Sequence, residues 1–178
     1  MDDIRYMSTA MMKHVAGAKV KIVPGYPGST DIRLAIERRE LDGVCDSWQS
    51  LKSTKADWVQ DNKVNILVQM VARPHADLPN VPVISAFATS SMKNAVDLLV
   101  SPGESGRSFV GPPNIPADRL DMLRRAFDAS VKDREFLETT SKSRLDVEPM
   151  PGEEIEKFLK RIYTTSPADV ATALKLVQ

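Results

Sequence analysis

Apolar residues in the first hundred positions follow helix-like spacing in some segments and strand-like spacing in others. Ile4, Met7, Met11 and Val15 recur every three or four positions, which predicts a helix. Residues 18–23 alternate between apolar and polar side chains, which predicts a strand. The same patterns predict further strands at 41–45, 64–70 and 81–84, and further helices at 29–36 and 92–100. Because predicted helices and strands alternate with short connections, this part of the chain favours an α/β fold around a largely parallel sheet.

The pattern changes at a turn-rich segment, residues 101–106. Beyond it, apolar positions take helical spacing in four stretches, which predicts a mostly helical C-terminal part. The positions that define these helices are Leu120, Leu123, Phe127 and Val131, then Phe136 and Leu137, then Ile155, Phe158, Leu159 and Ile162, then Val170, Leu174 and Val177. We therefore predict an α/β part, residues 1–105, followed by residues 106–178 with one crossover strand and the C-terminal helices.

Charge and rare residue types argue against several classes of function. Lys plus Arg and Asp plus Glu number 24 each, and the resulting net charge of zero argues against nucleic-acid binding through a broad basic surface. No apolar run approaches the roughly 20 residues that span a bilayer, and the first residues do not have the pattern of a signal peptide. The single cysteine, Cys45, and the two histidines, His14 and His75, lack the spacing of a zinc site. With no nucleophile–base pair and no cofactor fingerprint, the sequence predicts a protein that is not an enzyme and that holds neither metal nor cofactor.

The loop at residues 25–30 is the strongest candidate for a binding site, because it follows a predicted strand and opens a predicted helix. Glycines let backbone N–H groups approach a ligand, and the start of a helix carries partial positive charge. This predicts that Tyr26, Gly28, Ser29 and Thr30 hold a small carboxylate, with Tyr26 lining the site. The alternative is an ordinary strand-to-helix turn with Ser29 as the helix cap. A phosphate-binding P-loop is excluded, since no lysine follows the second glycine.

Asp46 and Ser47 form a second, weaker candidate. They follow a short predicted strand, and ligands collect at the carboxyl ends of strands in open α/β folds. An acid at this edge suits a ligand ammonium group, with Ser47 as a further contact and Trp48 packed on a ring. The alternative is that Asp46 is solvated while Trp48 caps the core.

An ordered series of short motifs runs along nearly the whole chain and resembles one protein family, the Bug-type solute receptors of tripartite tricarboxylate transporters. Each motif alone is a turn, a cap or a helix face, and the resemblance rests on their order and spacing. The motifs are Gly25-Tyr26-Pro27-Gly28-Ser29, residues 35–43, Leu78-Pro79-Asn80-Val81-Pro82, residues 112–119, Leu123-Arg124-Arg125-Ala126-Phe127 and residues 132–137.

The resemblance implies a periplasmic-binding-protein type II-like lobe, followed by a C-terminal helical segment that belongs to an incomplete first lobe. It covers only the C-terminal part of the family, so the signal peptide and the N-terminal half of the first lobe are not represented in this sequence. It implies export to the periplasm, a small carboxylate as ligand and membrane transporter subunits as partners. The equivalent family loop contributes to the ligand site, which supports residues 26–30.

Two functions follow as expectations. The first is a solute-binding protein, or a truncated form of one, for a di- or tricarboxylate, an amino acid or an aromatic acid. The alternative is a truncated, non-binding interaction protein that self-associates, as a homodimer for example, through exposed apolar helix faces.

One departure from the family is Arg39, where its members usually have glycine. Glycine there would relieve a left-handed backbone, so Arg39 marks either a relaxed turn or a chain no longer selected for tight folding.

Overall fold

The computed structural model describes residues 4–106, 108–143 and 145–178. Helices account for 54% of the described residues and strand for 1%, and no sheet forms among them. The predicted α/β class, a periplasmic-binding-protein type II-like lobe with a C-terminal helical segment, is therefore wrong. The predicted crossover strand begins at Arg107, which lies outside the described residues.

The described residues form ten α-helices and one short 3-10 helix. The α-helices are α1 Ile4–His14, α2 Ser29–Glu37, α3 Trp48–Thr54, α4 Ala56–Gln60, α5 Lys93–Val100, α6 Pro102–Ser105, α7 Ala117–Ser130, α8 Arg134–Lys142, α9 Gly152–Tyr163 and α10 Pro167–Leu176, and the 3-10 helix is Ile84–Phe87. Helical spacing predicted α1, α2, α5 and α7 to α10, and those predictions are confirmed. Two local caps help to fix their starts, since Asp133 accepts from the N–H of Phe136 and Ser166 accepts from the N–H of Asp169.

The segments predicted as strands do not assemble into a ladder. Within the described part of the chain, β pairing is limited to one parallel bridge between Gln69 and Val83. The N–H of Gln69 donates to the carbonyl of Pro82 at 2.8 Å, and the N–H of Ile84 donates to the carbonyl of Gln69 at 2.9 Å. Pro82 has no N–H to donate, so the ladder cannot extend through it.

The helices and loops group into two compact units, and the first comprises Met1–Ser47, Val64–Glu104 and Thr165–Gln178. Its core includes the fully buried side chains of Ile84 and Val96. Other buried members come from α1 and the residue that follows it, from α5 and from α10, which brings distant parts of the sequence into one core. They are Met11, Val15, Ala95, Val100, Ala173 and Leu176.

Gln69 holds the loop that leads to the 3-10 helix of this first unit. Its side chain is buried, and Nε2 donates to the carbonyls of Leu78 at 3.0 Å and Val81 at 2.8 Å. Its Oε1 accepts from the N–H of His75 at 2.8 Å. One amide side chain therefore forms hydrogen bonds with three backbone groups of a segment that has no regular secondary structure. Backbone groups in such a segment need these partners when they are shielded from water.

The second unit comprises Trp48–Lys63 and Ser105–Thr164. Its buried apolar side chains among the described residues are Leu51, Trp58 and Phe158. Neither α7 nor α8 contributes a buried residue. Helix α7 instead contacts α9 through an ion pair, in which Arg124 Nη1 lies 3.0 Å from Glu153 Oε1. This unit therefore has a small apolar core for its length.

The end of α2 is a Schellman motif with arginine at the position that favours glycine. The N–H of Glu40 donates to the carbonyl of Ala35 at 2.8 Å, and the N–H of Arg39 donates to that of Ile36 at 2.9 Å. Arg39 has φ 62°, a left-handed conformation. Arg39 therefore adopts the backbone conformation that glycine would relieve, and the turn is not a relaxed one.

Replacing Arg39 with glycine is expected to stabilise the first unit by about 1 kcal/mol, because glycine adopts this conformation without a Cβ penalty. Chemical unfolding followed by circular dichroism measures the change. The matched control is Gly17→Ala, at φ +66° with open space around its Cβ, which is expected to destabilise the unit by a similar amount. A loss of stability in Arg39→Gly would show that the arginine side chain contributes more than its backbone costs.

Candidate functional site

The loop predicted as a ligand site leads directly into α2. Gly25 has φ 101°, which favours glycine, and Gly28 is the N-cap residue with an extended backbone. Ser29 is the first helical residue and not the cap, and Thr30 follows it on the exposed side. Tyr26 is half-buried. The loop thus places hydroxyl groups at the start of a nine-residue helix.

A guanidinium group from α1 lies beside this helix start. Arg5 Nη1 donates to Ser29 Oγ at 3.0 Å. The first-turn acid of α2 is Asp31. Its Oδ2 lies 3.7 Å from the point that a Cβ added to Gly28 would occupy. The start of α2 therefore combines backbone N–H groups, a hydroxyl, a cation and one competing carboxylate. Arg5 was not among the predicted site residues, because nothing in local spacing pairs residues 24 positions apart.

Asp46, predicted as a receptor for a ligand ammonium, is paired within the chain. Arg33 donates to Asp46 Oδ2 through Nε at 2.8 Å and through Nη2 at 2.6 Å. The two side chains are 7% and 11% exposed. The other carboxylate oxygen, Oδ1, accepts from the backbone N–H of Ser47 at 2.9 Å. Asp46 therefore compensates a buried arginine, and the sequence signal for Arg33 is its position four residues after Ser29 on the same face of α2.

Cys45 and Ser8 complete the same region. Burial raises the pKa of the Cys45 thiol, a hydrogen bond with the Ser8 side chain lowers that pKa, and the charge of Asp46 raises it further. Ser8 is buried and lies three residues after Arg5 on α1. The contacts form two groups, Arg5 with Ser29, and Ser8, Cys45, Arg33 and Asp46. We refer to both groups together as the α1–α2 polar cluster. Its members are Arg5, Ser8, Ser29, Arg33, Cys45 and Asp46.

The cluster includes two of the six predicted site residues, and a third contacts it. Ser29 and Asp46 make side-chain contacts within it, and Ser47 touches it through its backbone N–H. Tyr26, Gly28 and Thr30 lie on the loop at its edge. His75, outside the cluster, has a structural role, since its Nδ1 accepts from the N–H of Asp77 at 3.0 Å.

The Cys45 thiol is expected to react with a thiol-specific reagent at least about tenfold more slowly in the native chain than in the urea-unfolded chain at pH 8. The reason is that the thiolate is the nucleophile, and a raised pKa keeps the native thiol protonated. Absorbance of the released product measures both rates. The Ser8→Ala variant removes the hydrogen bond that lowers the pKa, so its native thiol is expected to react more slowly still. Equal native and unfolded rates in the parent chain would contradict the shielding.

Within residues 4–106, 108–143 and 145–178, no helix is both long enough and apolar enough to cross a membrane. Comparison with known proteins yields no matching family model, no matching curated protein and no matching solved structure for this chain.

Proposed function

We propose that this chain binds a small carboxylate at the start of α2, as a solute-binding protein for a tripartite tricarboxylate-type transporter. The observation that carries the binding part is the contact of Arg5 Nη1 with Ser29 Oγ at 3.0 Å. It places a permanent positive charge next to a helix N-terminus. Both favour an anion, and the backbone N–H groups of the first turn have no helical partner.

The planar guanidinium matches a carboxylate because it donates two parallel hydrogen bonds. The Ser29 hydroxyl and the Thr30 hydroxyl add donors on the first turn of α2. Asp31 in the first turn opposes an incoming anion and lowers its affinity. A weakened site releases its ligand quickly, which suits a protein that delivers cargo. Tyr26 at the edge of the loop supports a planar or aromatic acid as one of the ligands.

The transport part of the proposal rests on the ordered motifs of the sequence. They support membrane transporter subunits as partners and the periplasm as location. The chain does not adopt the fold that the same resemblance implied. The support for the binding residues is therefore their contacts within the first unit, and not a two-lobed cleft.

Titration calorimetry with citrate, succinate, L-glutamate and benzoate tests the binding site. Arg5→Met is expected to weaken the best ligand by about tenfold, since it removes the charged donor. Asp31→Asn is expected to strengthen binding several-fold, because it removes a repelling charge. Arg38→Met, at the opposite end of α2, is the matched control and is expected to change nothing. Absence of saturable binding by all four acids, or an equal loss in Arg38→Met, would overturn the proposal.

Self-association is the second candidate function, favoured by the second unit. Helices α7 and α8 have no buried residue, although both carry apolar stripes. Leu123 on α7 is 56% exposed, and Leu159 on α9 is also exposed, whereas Phe158 is buried. Exposed apolar helix faces drive association. Sedimentation at increasing concentration tests it: a dimer that Leu123→Glu converts to monomer supports this function, and a parent chain that stays monomeric contradicts it.

A further inference from the structure

The second unit contains a groove of about 670 Å³, which is a size typical of small-molecule sites. One wall comes from α3 and α4, and the other from α8 and the segment that follows it. None of the lining residues belongs to the α1–α2 polar cluster. Its apolar lining residues include Trp48, Leu137 and Leu145, and its charged lining residues are Lys52 and Asp146.

Two opposite charges stand side by side in this groove. Lys52 Nζ lies 2.6 Å from Asp146 Oδ2 and 5.6 Å from the centre of the Trp48 ring. The backbone of Asp146 is held from α3, since its N–H donates to Gln49 Oε1 at 3.2 Å. The groove therefore offers a cation and an anion at one place, next to an aromatic face.

The charge pair sits in partial contact with water, with the Lys52 side chain 22% and the Asp146 side chain 43% exposed. Exposed ion pairs contribute little to stability, so a ligand that supplies both opposite charges can replace the contact at small cost. A ligand with only one charge would leave either the ammonium or the carboxylate without its partner. This arrangement favours a zwitterion over a simple acid or a simple amine.

We propose that this groove binds a free α-amino acid with a large apolar side chain. Its carboxylate pairs with Lys52 Nζ, and its ammonium pairs with Asp146. Its side chain packs on Trp48 and against Leu137 and Leu145, which gives the apolar contact that holds it. The site is independent of the carboxylate site proposed at α2, because it uses other residues in the other unit.

Tryptophan fluorescence of the full chain, titrated with L-phenylalanine, tests this site. The chain has two tryptophans, Trp48 and Trp58, and only Trp48 lines the groove. We expect a saturable change that Trp48→Phe abolishes while calorimetry still detects the ligand. Two analogues probe the charges: 3-phenylpropionate lacks the ammonium and phenethylamine lacks the carboxylate. Each is expected to bind at least about tenfold more weakly than L-phenylalanine.

Charge variants then assign the two partners by calorimetry. Lys52→Met is expected to weaken L-phenylalanine at least about tenfold and to make phenethylamine bind as well as L-phenylalanine does. Asp146→Asn is expected to do the same for 3-phenylpropionate. Lys63→Met is the matched control, because Lys63 forms a comparable exposed pair with Asp57 at 2.9 Å in the same unit and does not line the groove. Circular dichroism confirms that each variant is folded.

Three results would overturn the proposal: no saturable binding of L-phenylalanine at millimolar concentration, equal affinity for either analogue, or an equal loss of affinity in Lys63→Met. The comparison with the analogues separates this site from the one at α2, because a simple carboxylate satisfies that site and not this one. Failure here would leave the Arg5 and Asp31 results unaffected.

Discussion

Replacing Asp46 with asparagine is expected to lower the free energy of unfolding of the first unit by about 3–5 kcal/mol. The change removes the negative charge that compensates Arg33, whose side chain is 7% exposed. The buried guanidinium then loses the carboxylate charge of Asp46, which is much more costly than the loss of one surface ion pair. The asparagine oxygen can still accept from Arg33, while its NH2 group replaces the oxygen that accepts from the N–H of Ser47, so the loss combines the missing charge with one missing hydrogen bond.

Urea unfolding followed by circular dichroism measures this loss, with tryptophan fluorescence as an internal reference. Both tryptophans, Trp48 and Trp58, belong to the second unit, so their fluorescence reports on that unit. The double variant Arg33→Met with Asp46→Leu is the matched control. It removes both charges and is expected to be within about 1–2 kcal/mol of the parent, or more stable. A double variant as unstable as Asp46→Asn would show that packing, and not the unpaired charge, causes the loss.

Replacing Ile84 with alanine is expected to destabilise the same unit by about 2–5 kcal/mol. Ile84 is 0% exposed and belongs to the core that α1, α5 and α10 share. The substitution removes buried methyl and methylene groups and leaves a cavity, while the backbone N–H of residue 84 keeps its bond to Gln69.

The control for Ile84→Ala is Leu67→Ala, a similar truncation at a side chain that is 69% exposed. Its expected cost is about 0.5 kcal/mol or less, because little apolar surface returns to water. Comparable losses in the two variants would contradict the placement of the core. The same urea titration measures both, and the difference between them removes effects on the unfolded chain.

The helices were predictable because their signals are local. Apolar stripes marked α7 to α10, and Asp133 and Ser166 lie where side chains accept from the first turn of a helix. Strands need a partner, and alternation at residues 18–23 shows which side chains share a face without showing what pairs with the backbone. Pro24, Pro79 and Pro82 also remove donors near the predicted edges.

The part of the candidate site that depends on local signals was predictable, and the part that depends on distant contacts was not. Gly25 and the start of α2 follow from turn and helix signals within six residues of one another. The contacts of the two arginines that give the cluster its charge are not local: Arg5 reaches Ser29 across 24 positions, and Arg33 reaches Asp46 across 13. A single sequence contains no record of such pairs. Asp46 was predicted to contact a ligand because the sequence does not show that Arg33 pairs with it.

The shared core of α1 and α10 has a consequence for how the chain is made. Met11 and Leu176 lie in one cluster, so the first helix leaves the ribosome long before the helix that covers it. Contacts this distant in sequence slow folding, and uncovered apolar surface attracts chaperones and proteases meanwhile. A ribosome that stalls before residue 167 therefore presents a nascent chain whose N-terminal helix is still open to capture.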